Sequence, residues 1–557
     1  MSSNIDTIVI GSGAGGLSAA LCLARAGQKV LVLEQHYVPG GWCHSFYLEG
    51  HRFSPGVHYI GLCDKNDSTS QLYEGLGIAN DLTFFRMNPA GYEHCLFGDM
   101  KIDLPAGFDN LYESLSNHFP AEKKRLKKYL DLVKKGSDQI QLIPNMSGFW
   151  DNVTIPWRTR HMGKYGLFSL KKVIDWHIKD EKLKAILNIQ CGDYGLPPSK
   201  ASFPLHCAVM SHYFNGGFYP MGGGAAIVKA MSKAIYKYGG EIRTGEAVKR
   251  IVVEGVKKFR AVGVQLENGE IIKAKNVVSN ADPGKTFQLV GENNLSKKLS
   301  KKLAKTLYSV TSLFLFLTVD MDVRESGFDS GNIWKVRHAD LEKIFHEMTA
   351  DDIMNEEEFP ACFISCPTIK DPASFNGRHH TIEVVTFIEY ESFLLLVPNG
   401  DFLSAEYLKF KNRIMEKLLN SVEKLLPGVR NKIVTVDAGT PNTAAYYINA
   451  TDGNAYGTEK NLMQIGPFSY NSRTEIENLY LCGASTMSHG VAGASATGVH
   501  AAAKILDCSF DDLIKPDENQ HLQIYDSEDD SHWSQKILQK IDDRKRRFKE
   551  SEPLHNS

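Results

Sequence analysis

Residues 6–34, DTIVIGSGAGGLSAALCLARAGQKVLVLE, constrain the possible folds of this chain more than any other stretch. They begin with the apolar, β-branched run 8–10, which predicts a short buried strand. An Ala- and Leu-rich segment then predicts a helix to Ala26, with Gly27 as its C-cap residue. The apolar run 30–33 predicts a second strand, and an acidic residue follows it. This order of elements is that of a βαβ nucleotide-binding unit.

Three glycines between the first strand and the helix have the spacing G-x-G-x-x-G. Gly11 allows the tight turn, Gly13 lets the backbone approach a pyrophosphate, and Gly16 lets the helix pack closely on the sheet. The helix N-terminus offers free N–H groups to phosphates, and Glu34 stands where a carboxylate accepts ribose hydroxyls. Such a glycine turn alone is a weak signal, but with the strands, the helix and the acid it predicts a dinucleotide site.

Composition argues against several other classes of protein. The 63 Lys and Arg nearly balance the 65 Asp and Glu, so the net charge of −2 gives no field that would attract nucleic acid. The 10 cysteines form no C-x-x-C pair, which argues against a zinc site and favours reduced thiols. The first strand begins soon after Met1, and no apolar run reaches the length of a membrane span. We therefore expect a cytoplasmic protein with no signal peptide and no transmembrane helix.

Glycine-rich segments recur after the first unit and near the C-terminus. Gly40 and Gly41 lie in GGWCHSF and Gly56 lies in GVHYIG, which suggests backbone passing against a flat, extended ligand, although each segment alone also suits an ordinary loop. Residues 478–502, NLYLCGASTMSHGVAGASATGVHAA, predict a short strand and then a helix of small residues from near Gly490. Small residues let that helix approach a neighbour closely, and its N-terminus can stabilise negative charge.

These motifs resemble the retinol saturase, phytoene desaturase and carotenoid isomerase branch of the flavin-dependent amine-oxidase-like oxidoreductases. The resemblance is carried by GSGAGGLSAALCLARAGQKVLVLEQH, GGWCHSF and GVHYIG, and the last two are closer to retinol saturases. The chain departs from the family at Ser54, where members commonly have Asp, and at Ser488 and His489, where many have Pro-Gly.

The resemblance implies an α/β fold. A Rossmann-type FAD-binding domain, discontinuous in sequence, is interleaved with an α+β substrate-binding domain, and a chain of 557 residues is also too long for a single core. The implied segments are 1–80, 220–308 and 470–510 for FAD binding, 81–219 and 309–469 for substrate binding, and 511–557 for a linker and an amphipathic tail.

The resemblance implies FAD rather than NAD, because three separate segments match flavin-binding members and a nicotinamide enzyme would need only the first. In the family the backbone near Val248 contacts adenine, and the helix end at Gly490 faces the flavin pyrimidine. The implied FAD-binding residues are Gly11, Gly13, Ala14, Gly15, Gly16, Glu34, Gln35, Gly40, Gly41, Trp42, Gly56, Val57, His58, Val248, Gly483, Gly490 and Val491.

The implied reaction is hydride transfer at flavin N5 on a carbon–carbon bond of a long unsaturated lipid, which could be a retinoid, a carotenoid or a fatty-acyl chain. Saturation is favoured, while desaturation and redox-neutral cis–trans isomerisation stay open, as does the electron donor or acceptor. Saturation also needs a proton, for which His489 and His58 are candidates by position, although either could simply pack beside the flavin. Moving a chain of about twenty carbons through water would cost on the order of 10–15 kcal/mol, so we expect uptake from a bilayer.

Two alternatives use the same scaffold. An amine or porphyrinogen oxidase would keep the flavin and act on another substrate. A prenyl-binding escort of the Rab GDP-dissociation inhibitor kind would bind lipid without flavin chemistry, but it would have no need of the intact glycines and Glu34.

Two stretches could contact a membrane surface. Residues 150–176 interleave aromatic and basic side chains, which is typical of headgroup contact and equally of a helical cap with solvated charges. In the tail, Trp533, Ile537, Ile541 and Phe548 recur on one helical face, with lysines and arginines opposite. This predicted helix either lies on anionic lipid or docks on the protein's own surface.

Overall fold

A computed structural model describes residues 5–142, 160–350, 352–396 and 404–551. Its β-strands, in chain order, are β1 Ile5–Ile10, β2 Val30–Glu34, β3 Phe46–Leu48, β4 His51–Phe53, β5 Thr83–Arg86, β6 Glu93–Phe97, β7 Met100–Leu104, β8 Phe218–Pro220, β9 Glu241–Thr244, β10 Val248–Glu254, β11 Arg260–Leu266, β12 Ile271–Ser279, β13 Thr311–Val319, β14 Asn332–Val336, β15 Ala361–Ser365, β16 His380–Ile388, β17 Ile433–Gly439, β18 Leu479–Leu481 and β19 Gln523–Asp526.

The α-helices cover the faces of the sheets and are referred to below by their bounds. They are Ala14–Arg25, Ser68–Gly75, Phe108–His118, Lys123–Leu142, Arg160–Tyr165, Leu170–His177, Glu181–Leu187, Phe203–His212, Gly224–Lys237, Pro283–Val290, Lys297–Leu303, Leu341–Met348, Pro367–Lys370, Tyr390–Leu396, Ala405–Glu423, Pro441–Ile448, Gly490–Leu506, Phe510–Leu513 and Gln535–Ser551.

The first sheet is of the Rossmann type and confirms the predicted fold class. β1 lies between β2 and β12 and is parallel to both, β9 is parallel to β2, and β18 pairs in parallel with the end of β12. The antiparallel strands β10 and β11 extend the sheet from the start of β12. The carboxyl ends of the parallel strands meet at one edge, which is where such folds bind ligands.

Three helices stack on the first sheet beside the glycine turn. The helix Ala14–Arg25 contacts β1, β2 and β12, and it also contacts the helices Gly224–Lys237 and Gly490–Leu506. The helix of small residues predicted from the C-terminal motif therefore lies next to the N-terminal glycine turn. The two ends of the chain build one site because they are neighbours in this layer.

The second sheet has the strand order β17-β13-β16-β15-β14-β6-β7 and is antiparallel except for the β14–β6 pair. Its strand β13 is buried at every position. Leu315 and Leu317 pack with the helix Ala405–Glu423, whereas Phe314 and Phe316 join the core of the helices between residues 108 and 212. Both faces of this strand are covered, so its side chains alternate between Leu and Phe instead of between apolar and polar.

The C-terminal part of the chain is integrated into the fold. Where the sequence predicts a linker, β19 pairs in parallel with β5. Further on, Ile537 and Ile541 of the last helix are buried in one cluster with Phe85, and Phe548 packs edge-on against the His379 ring. Of the two interpretations of the tail, the structure has the docked one, because the apolar face that could contact lipid is covered by protein.

The aromatic and basic stretch at residues 150–176 is described in part, since 150–159 lie outside the described residues. In the described part, Leu167 and Trp176 are 78% and 52% exposed. The Lys172 ammonium lies 5.6 Å from the Trp176 ring centroid. Within the described ranges, no helix is both long enough and apolar enough to cross a bilayer.

Candidate active site

A cavity of about 1250 Å³ runs from the carboxyl edge of the first sheet towards the second sheet and its helices. One part, which we call the nucleotide arm, is lined by the turns that follow β1, β2, β12 and β18. The other part, the apolar arm, is lined by Ile140, Leu205, Val209, Tyr213, Phe314, Trp334, Phe363, Val385 and Phe387. The arms join where His489, beside the nucleotide arm, contacts Asp193, beside the apolar arm.

The glycine turn at the start of the helix Ala14–Arg25 has the geometry that its spacing predicts. Gly11 adopts a φ of +88°, a conformation that favours glycine. A Cβ on Gly16 would lie 2.1 Å from the Gly11 carbonyl oxygen, so turn and helix are in backbone contact. Gly13 is the N-cap residue, and none of the described side chains caps this helix. Its first N–H groups therefore stay available to a ligand.

Asn280, which follows β12, is a site residue that the sequence motifs did not identify. A Cβ on Gly13, Gly15 or Gly483 would lie 2.6, 2.6 or 2.8 Å from an atom of the Asn280 side chain. The Asn280 backbone N–H donates to the Ile10 carbonyl oxygen over 2.8 Å. Gly13 is therefore needed for packing within the protein, in addition to the role towards a pyrophosphate that the sequence predicts for it. The sequence signal that could have identified Asn280 is its place directly after β12, the strand that pairs with β1.

Glu34 ends β2 and is only 6% exposed. Its Oε2 accepts hydrogen bonds from the Ser12 backbone N–H over 2.8 Å and from the Ser12 hydroxyl over 2.5 Å. Its Oε1 accepts one from the His36 backbone N–H over 2.9 Å. These bonds hold the carboxylate against the glycine turn, on the wall of the nucleotide arm. Each carboxylate oxygen can accept two hydrogen bonds, so Oε1 keeps capacity for a ribose hydroxyl.

Most of the other predicted FAD-binding residues lie on the cavity wall. Those that line it are Ala14, Gln35, Gly40, Gly41, Trp42, Gly56, His58, Val248, Gly490 and Val491. Gly16 packs under Gly11 instead, in the helix-packing role predicted for it. Val57 is 1% exposed, and a Cβ on Gly224 would lie 2.7 Å from one of its methyl groups. The Val57 side chain is therefore a core residue, and contact of its backbone with the cofactor stays a prediction.

His58 lines the cavity and is anchored by a buried carboxylate. Its Nδ1 lies 3.0 Å from Oε2 of Glu383, which is fully buried. The other Glu383 oxygen accepts a hydrogen bond from the Ser54 backbone N–H over 2.7 Å. Glu383 thus brings a carboxylate next to Ser54, the position at which members of the resembling family commonly have Asp.

His489 precedes the helix Gly490–Leu506 at the junction of the two arms. Its Nε2 lies 3.2 Å from the Asp193 carbonyl oxygen, which assigns the ring proton to Nε2 because a carbonyl only accepts. Burial lowers the pKa of His489 to about 3, so the ring is neutral near pH 7. Its one N–H proton is already engaged by that carbonyl. This geometry argues against the prediction that His489 donates a proton to the substrate.

The Rossmann-type sheet, the uncapped glycine turn and the buried acid at the end of β2 define the class of dinucleotide-dependent oxidoreductases. The cradle of glycines around Asn280 and the N–H groups of the helix Ala14–Arg25 fit the pyrophosphate of such a cofactor. The chain belongs to the family of flavin containing amine oxidoreductases, whose sequence model matches residues 14–506. Its cofactor is FAD.

Individual proteins confirm the resemblance to retinol saturases and carotenoid isomerases. The chain is 28% identical to the All-trans-retinol 13,14-reductase of Danio rerio over 534 residues, which is 90% of this chain and 86% of that protein. It is 27% identical to the chloroplastic prolycopene isomerase of Daucus carota over 524 residues, 90% of this chain and 80% of that protein. A solved structure of putrescine oxidase bound to putrescine shares the fold, with a TM-score of 0.61 at 16% identity over 91% of this chain and all of that one.

Proposed function

We propose that the protein saturates one carbon–carbon double bond of a long unsaturated lipid, such as a retinoid, a carotenoid or a fatty-acyl chain. The observation that carries this proposal is the apolar arm, which continues from the nucleotide arm within one cavity. The relatives support this substrate class, because one is named for retinol and the other for prolycopene. The protein would therefore act on CH–CH groups rather than on amines.

Residues of the nucleotide arm would hold FAD. We assign the adenosine ribose to Glu34, the pyrophosphate to the turn that contains Gly11 and Gly13, and the adenine to the backbone near Val248. The N-terminus of the helix that starts at Gly490 would stabilise negative charge at the pyrimidine of the flavin. When bound, FAD supplies hydride-transfer chemistry at its N5.

The apolar arm would bind the hydrocarbon and keep water away from the reacting bond. Its wall contains two close aromatic pairs: the Tyr59 and Tyr213 rings stack with centroids 4.2 Å apart, and the Trp334 and Phe363 centroids are 4.8 Å apart. Flat rings of this kind suit a planar conjugated chain. Each methylene that leaves water contributes about 0.8 kcal/mol to binding.

A substrate this apolar would enter from a bilayer, which requires a surface that contacts lipid. Lys172 lies beside the Trp176 ring, and exposed Leu167 shortly precedes the helix that carries both; we call these three residues the lipid-facing patch. Its aromatic and basic character suits the headgroup region. We therefore propose peripheral membrane contact through this patch and not through the docked tail.

A second function, redox-neutral cis–trans isomerisation of a polyene, is favoured by the identity to prolycopene isomerase. The same cavity and the same bound flavin serve both reactions. They differ in their products, since saturation adds two hydrogens and isomerisation changes only the geometry of a double bond.

The test is anaerobic incubation of the photoreduced holoprotein with panels of retinol, carotenoids and unsaturated fatty acids. We expect a product whose mass has risen by two hydrogens, together with reoxidation of one flavin per product. Unchanged mass with altered double-bond geometry and a flavin that stays reduced would establish the isomerase instead. Purification of a folded protein that takes up no FAD would overturn both.

A further inference from the structure

Two carboxyl groups from distant parts of the chain, Glu93 and Asp193, meet beside the cavity. The Tyr59 hydroxyl donates a hydrogen bond to Asp193 Oδ2 over 2.8 Å and also lies next to Glu93. One Glu93 oxygen accepts the Trp334 indole N–H, and the other has no hydrogen-bond partner within the described residues. A fully buried carboxyl with an unpartnered oxygen is costly as an anion. This arrangement therefore suits a carboxyl pair that holds a proton.

The two members of the pair are exposed to the cavity to different degrees. Glu93 has no accessible surface, whereas Asp193 lines the cavity and keeps accessible surface there. The backbone around Asp193 is fixed at the junction of the two arms, because its carbonyl bonds the His489 ring and the Gly192 carbonyl accepts the Tyr456 hydroxyl over 2.9 Å. Asp193 is thus the member that a substrate in the apolar arm can touch.

The surroundings of the pair favour its protonated form. Burial raises the pKa of both Glu93 and Asp193 above the usual range of carboxyls, and repulsion by the Asp193 carboxylate raises that of Glu93 further. Two carboxyls that interact this strongly titrate as a pair. The groups that oppose the rise by hydrogen bonding or charge are Tyr59, Trp334 and Lys370. The other titratable groups that interact with the pair include Tyr92, Cys95, Cys191, Tyr194, Tyr213 and Tyr456.

We propose that Asp193 is the general acid of the saturation reaction, with two positioning residues: Tyr59 orients its carboxyl group, and Glu93 shares the Tyr59 hydroxyl with it. This assignment rests on the proposed function. Saturation breaks the π bond and forms two C–H bonds: one carbon receives a hydride, with its electron pair, from the dihydroflavin, and the other receives the proton of the Asp193 O–H. The electrons of the O–H bond stay on Asp193, and the Tyr59 hydroxyl stabilises the resulting carboxylate until Glu93 or solvent returns a proton.

The experiment compares the full-length holoproteins of the wild type, Asp193→Asn and Glu93→Gln. The control is Glu358→Gln, since Glu358 is a carboxylate paired with Lys335 and Lys424 and does not line the cavity. The first readout needs no turnover: infrared spectra in H₂O and D₂O near pH 7 report the C=O stretch of a protonated carboxylic acid. We expect this band in the wild type and in Glu358→Gln, and its loss or shift in both other variants. A band that neither Asp193→Asn nor Glu93→Gln alters would overturn the proposal.

The second readout separates binding from chemistry. Oxidised Asp193→Asn should bind retinol within about threefold of the wild-type affinity, measured by quenching of intrinsic fluorescence. Its formation of reduced product should fall at least about a hundredfold, the typical contribution of a general acid. The wild-type rate should decline as pH rises through the pKa of the pair, and this decline should vanish in the residual activity of Asp193→Asn.

Failure of this assignment is distinguishable from failure of the proposed function. A wild type that saturates lipids while Asp193→Asn does so at a similar rate overturns the general acid and leaves the reaction standing. A wild type that saturates none of the panel overturns the reaction, and with it the role of Asp193 as its acid. The infrared band then still establishes whether the pair is protonated.

Discussion

Gly498 and Gly15 are in direct backbone contact: a Cβ on Gly498 would lie 2.0 Å from the Gly15 carbonyl oxygen. This contact joins the C-terminal helix of small residues to the N-terminal glycine turn, so both motifs belong to one packed unit beside the cavity. We expect Gly498→Ala to force the two helices apart, which would lower the thermal midpoint and the FAD content of the purified protein. The cost of such overpacking is about 1–3 kcal/mol. Gly163→Ala is the control, because a Cβ there would meet none of the described residues within 4 Å. Equal behaviour of the two variants would contradict the prediction.

Removing the charge of Glu34 should weaken FAD binding. A hydrogen bond to a charged group contributes about 1.5–3 kcal/mol, so Glu34→Gln should raise the dissociation constant for FAD at least about tenfold. The measurement is titration of the folded apoprotein with FAD. Glu241→Gln serves as the control. Glu241 is 53% exposed and pairs with Arg243, and both residues lie on β9, the strand next to β2. An unchanged affinity in folded Glu34→Gln would remove the ribose assignment.

Because the tail is docked on the protein, a substitution on its buried face should lower the stability of the fold without weakening membrane binding. Ile537 is 2% exposed, so Ile537→Ala should lower the free energy of unfolding by about 2–5 kcal/mol. Denaturant unfolding measures this change, and Gln539→Ala, at an exposed position of the same helix, should change it little. Flotation with anionic liposomes should give equal binding for both variants and the wild type. Loss of flotation in well-folded Ile537→Ala would restore the tail as the membrane anchor.

Substitutions in the lipid-facing patch should have the opposite effect: they should weaken membrane binding without lowering stability. Replacing both Leu167→Ser and Trp176→Ala should reduce flotation with liposomes and leave the thermal midpoint nearly unchanged, because both side chains are mostly exposed. Tyr236→Ala tests whether the loss of any exposed aromatic side chain has the same effect, since Tyr236 is about as exposed as Trp176 but lies on a helix of the first sheet. If the double variant floats as well as the wild type, this patch does not contact the membrane.

The carboxyl pair also predicts how stability depends on pH. The pKa values of Glu93 and Asp193 are raised on folding. Between the pKa values of these carboxyls in the unfolded chain and their raised values in the folded chain, the folded chain therefore binds more protons. The free energy of unfolding therefore falls as pH rises from about 4, where carboxyls titrate in the unfolded chain, to the raised values. Asp193→Asn should reduce this decline. Thermal midpoints at about pH 5 and about pH 8 measure it.

The parts of the site that follow from local backbone geometry could be predicted from the sequence. The turn at Gly11, the close packing of Gly16 and the acid at Glu34 each depend on a few neighbouring residues, and the structure has all three where they were expected. Asn280 was missed because its role depends on which strand lies beside β1. Val57 was assigned to the cofactor as part of the GVHYIG motif, whereas the packing of its side chain depends on the distant helix Gly224–Lys237, which the motif does not specify.

The sequence by itself determined that the chain builds a Rossmann-type unit with a glycine turn, because strand, turn and helix propensities act over short distances. It also determined that the tail has one apolar face. Only the tertiary structure decided that this face, with Ile537 and Ile541, is covered by protein, since lipid and a protein groove satisfy the same pattern equally well. Likewise, nothing local links Glu93 to Asp193. Their shared burial exists because folding brings two distant segments to the Tyr59 hydroxyl beside the cavity.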